Sequence, residues 1–233
     1  MTWQAPCWTF GRVIRHIDGI RIPRNVVIVN MATRATRRSY RLQDRAKTQA
    51  DTRERIVSAT MQLHDEQGVA ATSFVDIAKR AGIGAATVYR HFPTLGSLVA
   101  ACGAHVWKEM NPPVPEQASA LFKDVGSTKD RLQHLVDEVD GFYRRGALRL
   151  TAAYSDRHLI PELDKFLRAV EAGVDALVRE AVKDEILPDA VLQLVVALME
   201  FPVWTSMQKI AVDDLERRRL VAGLLSCAIR TAR

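Results

Sequence analysis

Residues 74–91 have the sequence FVDIAKRAGIGAATVYRH, which carries more information about the fold than any other part of the chain. Ala78 lies where two helices would cross, a place where only a small side chain fits. Gly82 follows the first helix, where the backbone must turn with positive φ. Apolar residues fall where the two helices would contact each other, at Ile77, Ala81, Ile83 and Val88. The pattern predicts a helix-turn-helix over about residues 74–93.

The second of these helices keeps a set of short to medium side chains on its outer side, namely Ala85, Ala86, Thr87, Tyr89, Arg90 and His91. Such a set can enter a DNA major groove without obstruction. Thr87 and Tyr89 offer hydroxyls to phosphate, and Arg90 offers either a phosphate contact or a bidentate guanine contact. A helical hairpin inside a protein core, the competing interpretation, would not need so polar an outer face.

A second phosphate site is predicted at the start of the first helix of the motif. Thr72 or Ser73 caps this helix, and both hydroxyls lie beside the free amides of its first turn. We therefore expect the DNA contacts to come from Thr72, Ser73 and the outer residues of the second helix.

The flanking sequence predicts further helices and a domain boundary. Asp51 with Glu54 has the spacing of a capping box, so a first helix is expected from Asp51 until Gly68 stops it. Thr94 is expected to cap a fourth helix that runs to about Met110. Three prolines between residues 112 and 115 then exclude helix. The predicted organisation is a tail with a basic arm over residues 1–46, a DNA-binding domain over 47–110 and a larger helical domain over 111–233.

These residues together resemble the DNA-binding domain of the TetR (tetracycline repressor) family of bacterial regulators. The resemblance rests on residues 77–83 and on TVYRHFP, residues 87–93, followed by Leu98. It covers about residues 51–110, and it implies a homodimer that represses transcription and releases its operator when a small molecule enters the carboxy-terminal domain. One departure is Leu95, where related sequences commonly carry lysine or another polar residue, which puts one backbone-phosphate contact in doubt.

The amino terminus differs from the rest of the chain. Residues 1–30 show no helical periodicity, and we interpret them as an upstream over-annotation or a disordered tail that ends at Met31; an extra strand or a secretion signal is the alternative. The arginines from Arg34 to Arg45 are expected to form a flexible basic arm that follows DNA phosphates or enters the minor groove.

Composition supports a globular binding protein. The chain has 233 residues, of which 48% are hydrophobic and 26% charged, with a net charge of +6 that is concentrated in the first 110 residues. The three cysteines form no CxxC pair, and the six histidines form no HExxH motif. Gly82-x-Gly84 lacks the third glycine and the preceding strand of a nucleotide loop. We therefore expect no metal, no cofactor and no catalysis, and a cytoplasmic location.

The second half predicts an effector-binding and dimerisation domain. About six helices are expected, over residues 116–125, 128–143, 145–155, 161–184, 188–208 and 212–231, and no segment after residue 31 has strand periodicity. The last two helices are apolar on more than one side, which predicts a four-helix interface between two copies of the chain. Large aromatic side chains here are either plain core or the lining of a pocket for an apolar effector. The candidates for the pocket are His105, Trp107, Phe142, Tyr154, Phe166 and Trp204.

The sequence thus predicts an all-α regulator, most simply a ligand-responsive repressor that binds a palindromic operator as a homodimer. An activator, or a regulator that answers a protein partner, is the alternative within DNA binding. The alternative from another class is a helical small-molecule-binding or enzymatic protein whose helix-turn-helix is vestigial.

Overall fold

A computed structural model describes the backbone of residues 31–231 and the side chains of residues 39, 40 and 42–231. The described residues confirm the all-α prediction. They form α1 (Met31–Gln67), α2 (Phe74–Ala81), α3 (Ala85–His91), α4 (Leu95–Met110), a 3-10 turn (Pro115–Gln117), α5 (Ala118–Leu121), α6 (Thr128–Asp156), α7 (Pro161–Ala181), α8 (Asp189–Leu198), α9 (Phe201–Met207) and α10 (Asp214–Arg230).

The first helix begins earlier than predicted. Asp51 and Glu54 lie in the interior of α1 and form no capping box, because the segment from residue 31 to residue 67 contains no glycine or proline that would interrupt a helix. The backbone of the predicted basic arm is therefore helical. The predictions for residues 1–30 lie outside the described residues.

Two of the expected carboxy-terminal helices are joined, and another is divided. Residues 128–156 form a single helix, in which the buried Gly146 leaves room for the side chain of Met110. A glycine inside a helix costs only about 1 kcal/mol, which the packing of a long helix offsets. The expected helix over residues 188–208 breaks before Phe201, since Pro202 lacks an amide donor and fits only the first turn of a new helix.

Residues 48–231 belong to one compact unit with two apolar cores. The smaller core lies among the four helices α1, α2, α3 and α4. It contains the fully buried Ile56, Ile77, Val88, Phe92 and Leu98. The larger core lies mainly among α6, α7, α8 and α10. Helix α4 contributes to both, with Leu98 and Cys102 in the smaller core and Val99 and Met110 in the larger one.

Polar contacts reinforce this connection. The Asp156 carboxylate at the end of α6 accepts hydrogen bonds from the backbone N–H groups of Val69 and Ala70, each at 2.8 Å. Arg149 of α6 forms ion pairs with Asp65 of α1 and Glu109 of α4. The predicted DNA-binding domain, residues 47–110, and the predicted carboxy-terminal domain, residues 111–233, therefore contact each other along α4 and the loop after α1.

Between residues 31 and 231, no single helix has both the length and the apolar character needed to cross a membrane. Helices α8 and α9 meet that test only as a pair, and they are bent by 58° relative to each other.

Candidate nucleic-acid interface

The predicted helix-turn-helix is present at residues 74–91. Helix α2 starts at Ser73, whose hydroxyl oxygen accepts a hydrogen bond from the Asp76 N–H at 3.2 Å. The helix ends at Gly82, which has φ of 63°, and the Ile83 N–H donates to the Ala78 carbonyl at 3.0 Å. A left-handed residue that is followed by such a bond is a Schellman-type helix end, and it sets the angle between α2 and α3.

Helix α3 is anchored on one side and open on the other. Val88 is fully buried in the smaller core, whereas Ala86, Tyr89 and Arg90 are exposed. The other predicted contacts on this helix, Ala85, Thr87 and His91, are half-buried. The outer surface therefore has the short, polar profile that was predicted for major-groove contact.

The ring of Tyr89 is held in place by α2. It is 52% exposed, and it packs edge-on against Phe74 with the ring centroids 4.6 Å apart. This contact restricts the orientation of the ring on an exposed part of α3.

Thr72 requires a correction. Its side chain is buried, with 5% exposure, and its hydroxyl donates to the Gly68 carbonyl at 2.8 Å. This hydrogen bond stabilises the loop between α1 and α2, so the hydroxyl is not presented to a phosphate. Ser73 is exposed at the start of α2, and its hydroxyl donates to the Asp76 carboxylate at 2.5 Å.

Arg53 of α1 is a further basic residue beside α3 that the motif did not predict. A cleft of about 280 Å³ lies between α1 and the end of α3, lined by Gln49, Ala50, Arg53, Arg90 and His91. The Arg53 guanidinium lies 4.2 Å from the centroid of the Phe92 ring and donates to the His91 carbonyl at 3.4 Å. The only available sequence signal was that Gln49 and Arg53 lie one turn apart on the polar side of α1.

Not every basic side chain of this domain is available to DNA. Arg80 donates two hydrogen bonds to the Glu66 carboxylate, at 2.8 and 2.6 Å, and is therefore held against α1. Arg53 and Arg90, by contrast, line an open concave surface. Two guanidinium groups beside one cleft form a basic site of the kind that follows a phosphate backbone.

The start of α4 explains the unusual Leu95. Thr94 and Ser97 form a reciprocal capping box, and Leu95 packs against the larger core. An apolar residue at this position therefore strengthens the contact with the carboxy-terminal helices.

An apolar cavity of about 370 Å³ lies between α4, α6 and α7. Two of the predicted effector-pocket residues, Trp107 and Phe166, lie in its wall, where their rings pack edge-to-face at 5.8 Å. Cys102 also lines it, and burial raises the pKa of this thiol to about 12, so that it stays neutral. The wall thus combines rings, a neutral thiol and small side chains with the charged residues Arg149, Glu162 and Lys165.

The structure does not bring the other four predicted pocket residues to this cavity. His105 is exposed, and Phe142 is buried beside a separate cavity next to Pro112 and Pro113. Tyr154 stacks on Phe201, and its hydroxyl donates to Glu171. The Trp204 indole donates to the buried Asp140 at 2.9 Å, so the polar tips that suggested ligand contact bind partners within the protein.

The part of the chain that the structure describes contains no group of three or more His, Cys, Asp or Glu side chains with the geometry to hold a metal ion.

The sequence of this region matches those of known bacterial regulators. Residues 56–102 match the family model described as "Bacterial regulatory proteins, tetR family". Uncharacterized HTH-type transcriptional regulators of Mycobacterium tuberculosis and Mycobacterium bovis are 28% identical over 159 residues, which cover 66% of this chain and 82% of each relative.

Solved structures share the fold across most of the chain. A transcriptional regulator from a Rhodococcus species superposes with a TM-score of 0.55 and 17% identity, over 77% of this chain and 96% of its own. A putative transcriptional regulator from Saccharomonospora viridis in complex with choline superposes with a TM-score of 0.51 and 16% identity, over 75% and 94%. The α2–turn–α3 geometry and the match over residues 56–102 show that the chain carries a helix-turn-helix domain of the tetR family of bacterial regulatory proteins.

Proposed function

We propose that the protein is a ligand-responsive repressor that binds a palindromic operator as a homodimer. The observation that carries the proposal is the double role of α4. Its residues Leu98 and Cys102 pack in the core of the DNA-binding domain, while Val99, Cys102 and Trp107 line the cavity. A ligand that alters the cavity therefore acts on the element that supports α2 and α3.

The DNA-binding surface combines two functions. Exposed Tyr89 and Arg90 on α3 reach the base edges, and Ser73 and Arg53 contact the flanking phosphates. Phosphate contacts fix the register of the protein, and the α3 side chains distinguish sequences. This division suits a regulator that must find one site among many.

The homodimer is supported by an apolar surface on α8 and α10, which contact each other. Leu194, Leu220 and Leu224 are 49%, 55% and 47% exposed, and they leave large apolar area unburied within one chain. A second copy related by a two-fold axis would cover this area with two identical helices. Such symmetry also implies a palindromic operator, because each copy presents one α3.

The ligand proposal rests on the cavity. Its wall is predominantly apolar, which suits an apolar effector body. The structural neighbour from Saccharomonospora viridis was solved in complex with choline, which supports a small-molecule effector for this chain.

The test uses the full chain and a labelled DNA fragment from upstream of its own gene. We expect a footprint with two-fold symmetry, two chains per site and an affinity that falls steeply with salt concentration. Tyr89→Ala should shift the specific footprint to a higher protein concentration, whereas Arg168→Gln on the outer side of α7 should leave it unchanged. Salt-independent or absent binding would contradict the proposal and favour a protein whose helix-turn-helix is vestigial.

A further inference from the structure

The wall of the α4–α6–α7 cavity contains two basic residues and one acidic residue. They are Arg149, Glu162 and Lys165. The Glu162 carboxylate is turned toward the first turn of α4, where Gly96 has no side chain and the positive end of the helix dipole faces it. Lys165 has no ion-pair partner among the described residues. The wall therefore leaves positive charge available to a ligand.

Arg149 connects this wall to the DNA-binding domain. Its Nε lies 3.6 Å from the Asp65 carboxylate of α1, and its guanidinium forms a close ion pair with Glu109 of α4. The side chain is 28% exposed, so water screens these ion pairs only in part. Arg149 and Cys102 both line the cavity.

We propose that the effector is an amphipathic anion whose apolar body fills the cavity beside Trp107 and Phe166. Its acidic head group pairs with Arg149 and Lys165 in place of Asp65 and Glu109. This inference rests on the proposed function and names its ligand class. A carboxylate matches the planar fork of a guanidinium, so it competes directly with the two protein carboxylates.

The exchange explains how occupancy reaches the DNA-binding domain. When the head group of the ligand pairs with Arg149, the ion pairs of Arg149 with Asp65 of α1 and Glu109 of α4 are broken. Asp65 and Glu109 are released into solvent at low cost, because both are already partly exposed. The hydrogen bonds from Val69 and Ala70 to Asp156 then remain as the polar connection between the loop after α1 and α6.

The test compares three probes with the same ten-carbon chain: decanoate, 1-decanol and decyltrimethylammonium. Isothermal titration of the full chain should show decanoate binding at least about tenfold tighter than decanol, with the cation weakest. Arg149→Gln should remove most of the preference for decanoate over decanol, because only the exposed Lys165 then remains beside the head group. The control Arg168→Gln removes an arginine that pairs with Asp164 outside the cavity wall, and it should keep the preference for the anion.

Glu109→Gln separates head-group binding from a structural role of Arg149. Removing the competing carboxylate should tighten decanoate binding by about threefold or more and leave decanol unchanged. A merely structural Arg149 would give equal changes for both probes, which would overturn the inference. Equal affinity of the natural sequence for decanoate and decanol would also overturn it, as would the absence of saturable binding by all three.

These outcomes are distinct from a failure of the proposed function. DNA binding to the upstream fragment is measured without any probe. A protein that binds this DNA and releases it with decanol as readily as with decanoate would keep its assignment as a ligand-responsive repressor while losing the anion specificity.

Discussion

The helix-turn-helix region, α1 to α3, and the carboxy-terminal helices, α6 to α10, distribute their apolar side chains in opposite ways. In the first region, Ile56, Ile77 and Val88 are fully buried, and the functional surface is polar. In the second region, an apolar cavity lies next to the core, and Leu220 and Leu224 remain exposed. The first region therefore presents polar side chains on a rigid core. The second region leaves space that a ligand can occupy and an apolar surface that a second chain can bury.

The difference teaches where regulation can act. A core that is packed like that of the helix-turn-helix moves as a rigid body. In a dimer, two such bodies must lie about 34–36 Å apart to reach successive major grooves. A small displacement of α4, which packs in both cores, would change that spacing without any change inside the reading surface.

The largest expected effect on operator affinity comes from placing charge on the exposed apolar surface of α10. The double substitution Leu220→Glu and Leu224→Glu places four carboxylates in a two-fold interface, so we expect monomers. A monomer has only one helix-turn-helix, so operator affinity should fall by at least about 100-fold. Light scattering after gel filtration and fluorescence anisotropy with labelled operator measure the two effects.

A matched control tests whether position matters more than hydrophobicity. Leu159 is 58% exposed, as much as the two interface leucines, but it lies in the segment between α6 and α7. Leu159→Glu should leave both assembly and DNA affinity unchanged. If the double variant remained dimeric, the interface would have to be sought elsewhere on the chain.

The next effect concerns the first region alone. Tyr89→Ala removes a half-exposed side chain that packs against Phe74, so the fold should persist while operator binding weakens by about 1 to 3 kcal/mol. Thermal unfolding should be close to that of the natural sequence. Unchanged affinity in an anisotropy titration would contradict the assignment of α3 to the DNA interface.

Thr87→Ala provides a comparison on the same helix. Thr87 is half-buried and is assigned to a phosphate, so its removal should weaken specific and nonspecific DNA binding alike. A selective loss of specific binding would instead place Thr87 at a base edge.

The two regions also differ in how far the sequence predicts them. The bounds of α2 and α3 follow from Ser73, Gly82 and Phe92-Pro93, which are local signals with fixed geometry. The cavity does not follow from such signals, because whether an aromatic residue lines a space or fills a core depends on the packing of distant helices. Trp107 and Trp204 have similar sequence environments, yet one lines the cavity and the other donates to Asp140.

The same contrast explains the errors in helix bounds. The sequence predicts a break between residues 143 and 145, but α6 is continuous there, and Met110 packs against Gly146 just beyond that point. Thr72 resembled a helix cap, but Ser73 takes that role, and the Thr72 hydroxyl bonds to Gly68. Where two neighbouring residues have the same chemistry, tertiary packing decides between them.

His64 tests whether the boundary between the regions is sensitive to pH. Burial lowers the pKa of His64 to about 4, while the nearby Asp156 charge partly opposes the shift. Above pH 6.5 the ring is neutral in both the folded and the unfolded state. Between pH 6.5 and pH 4 only the unfolded state takes up the proton, so stability falls as pH falls, by about 2 kcal/mol at pH 5.

Urea unfolding at pH 7 and pH 5 measures this change. His64→Phe should remove most of the pH dependence, and His158→Phe, which replaces an exposed histidine, should retain it. An equal pH dependence in both variants would assign the effect to other groups. Two separate transitions at pH 5 would show that the helix-turn-helix region unfolds independently of the carboxy-terminal helices.

The smallest expected effect is the phosphate contact of Arg53. Arg53→Gln should reduce the slope of log affinity against log salt concentration by about one unit per site contacted, because one fewer counterion is released at each phosphate. Arg80→Gln makes the same change of charge in the same domain, but Arg80 is already paired with Glu66, so its slope should stay that of the natural sequence. Anisotropy titrations between 50 and 200 mM salt, on operator and on unrelated DNA, distinguish the two. Because a phosphate contact carries no sequence information, the Arg53 effect should be equal on both DNAs. If Arg80→Gln lowered the slope as much as Arg53→Gln, net charge rather than the cleft beside α3 would govern the electrostatic part of binding.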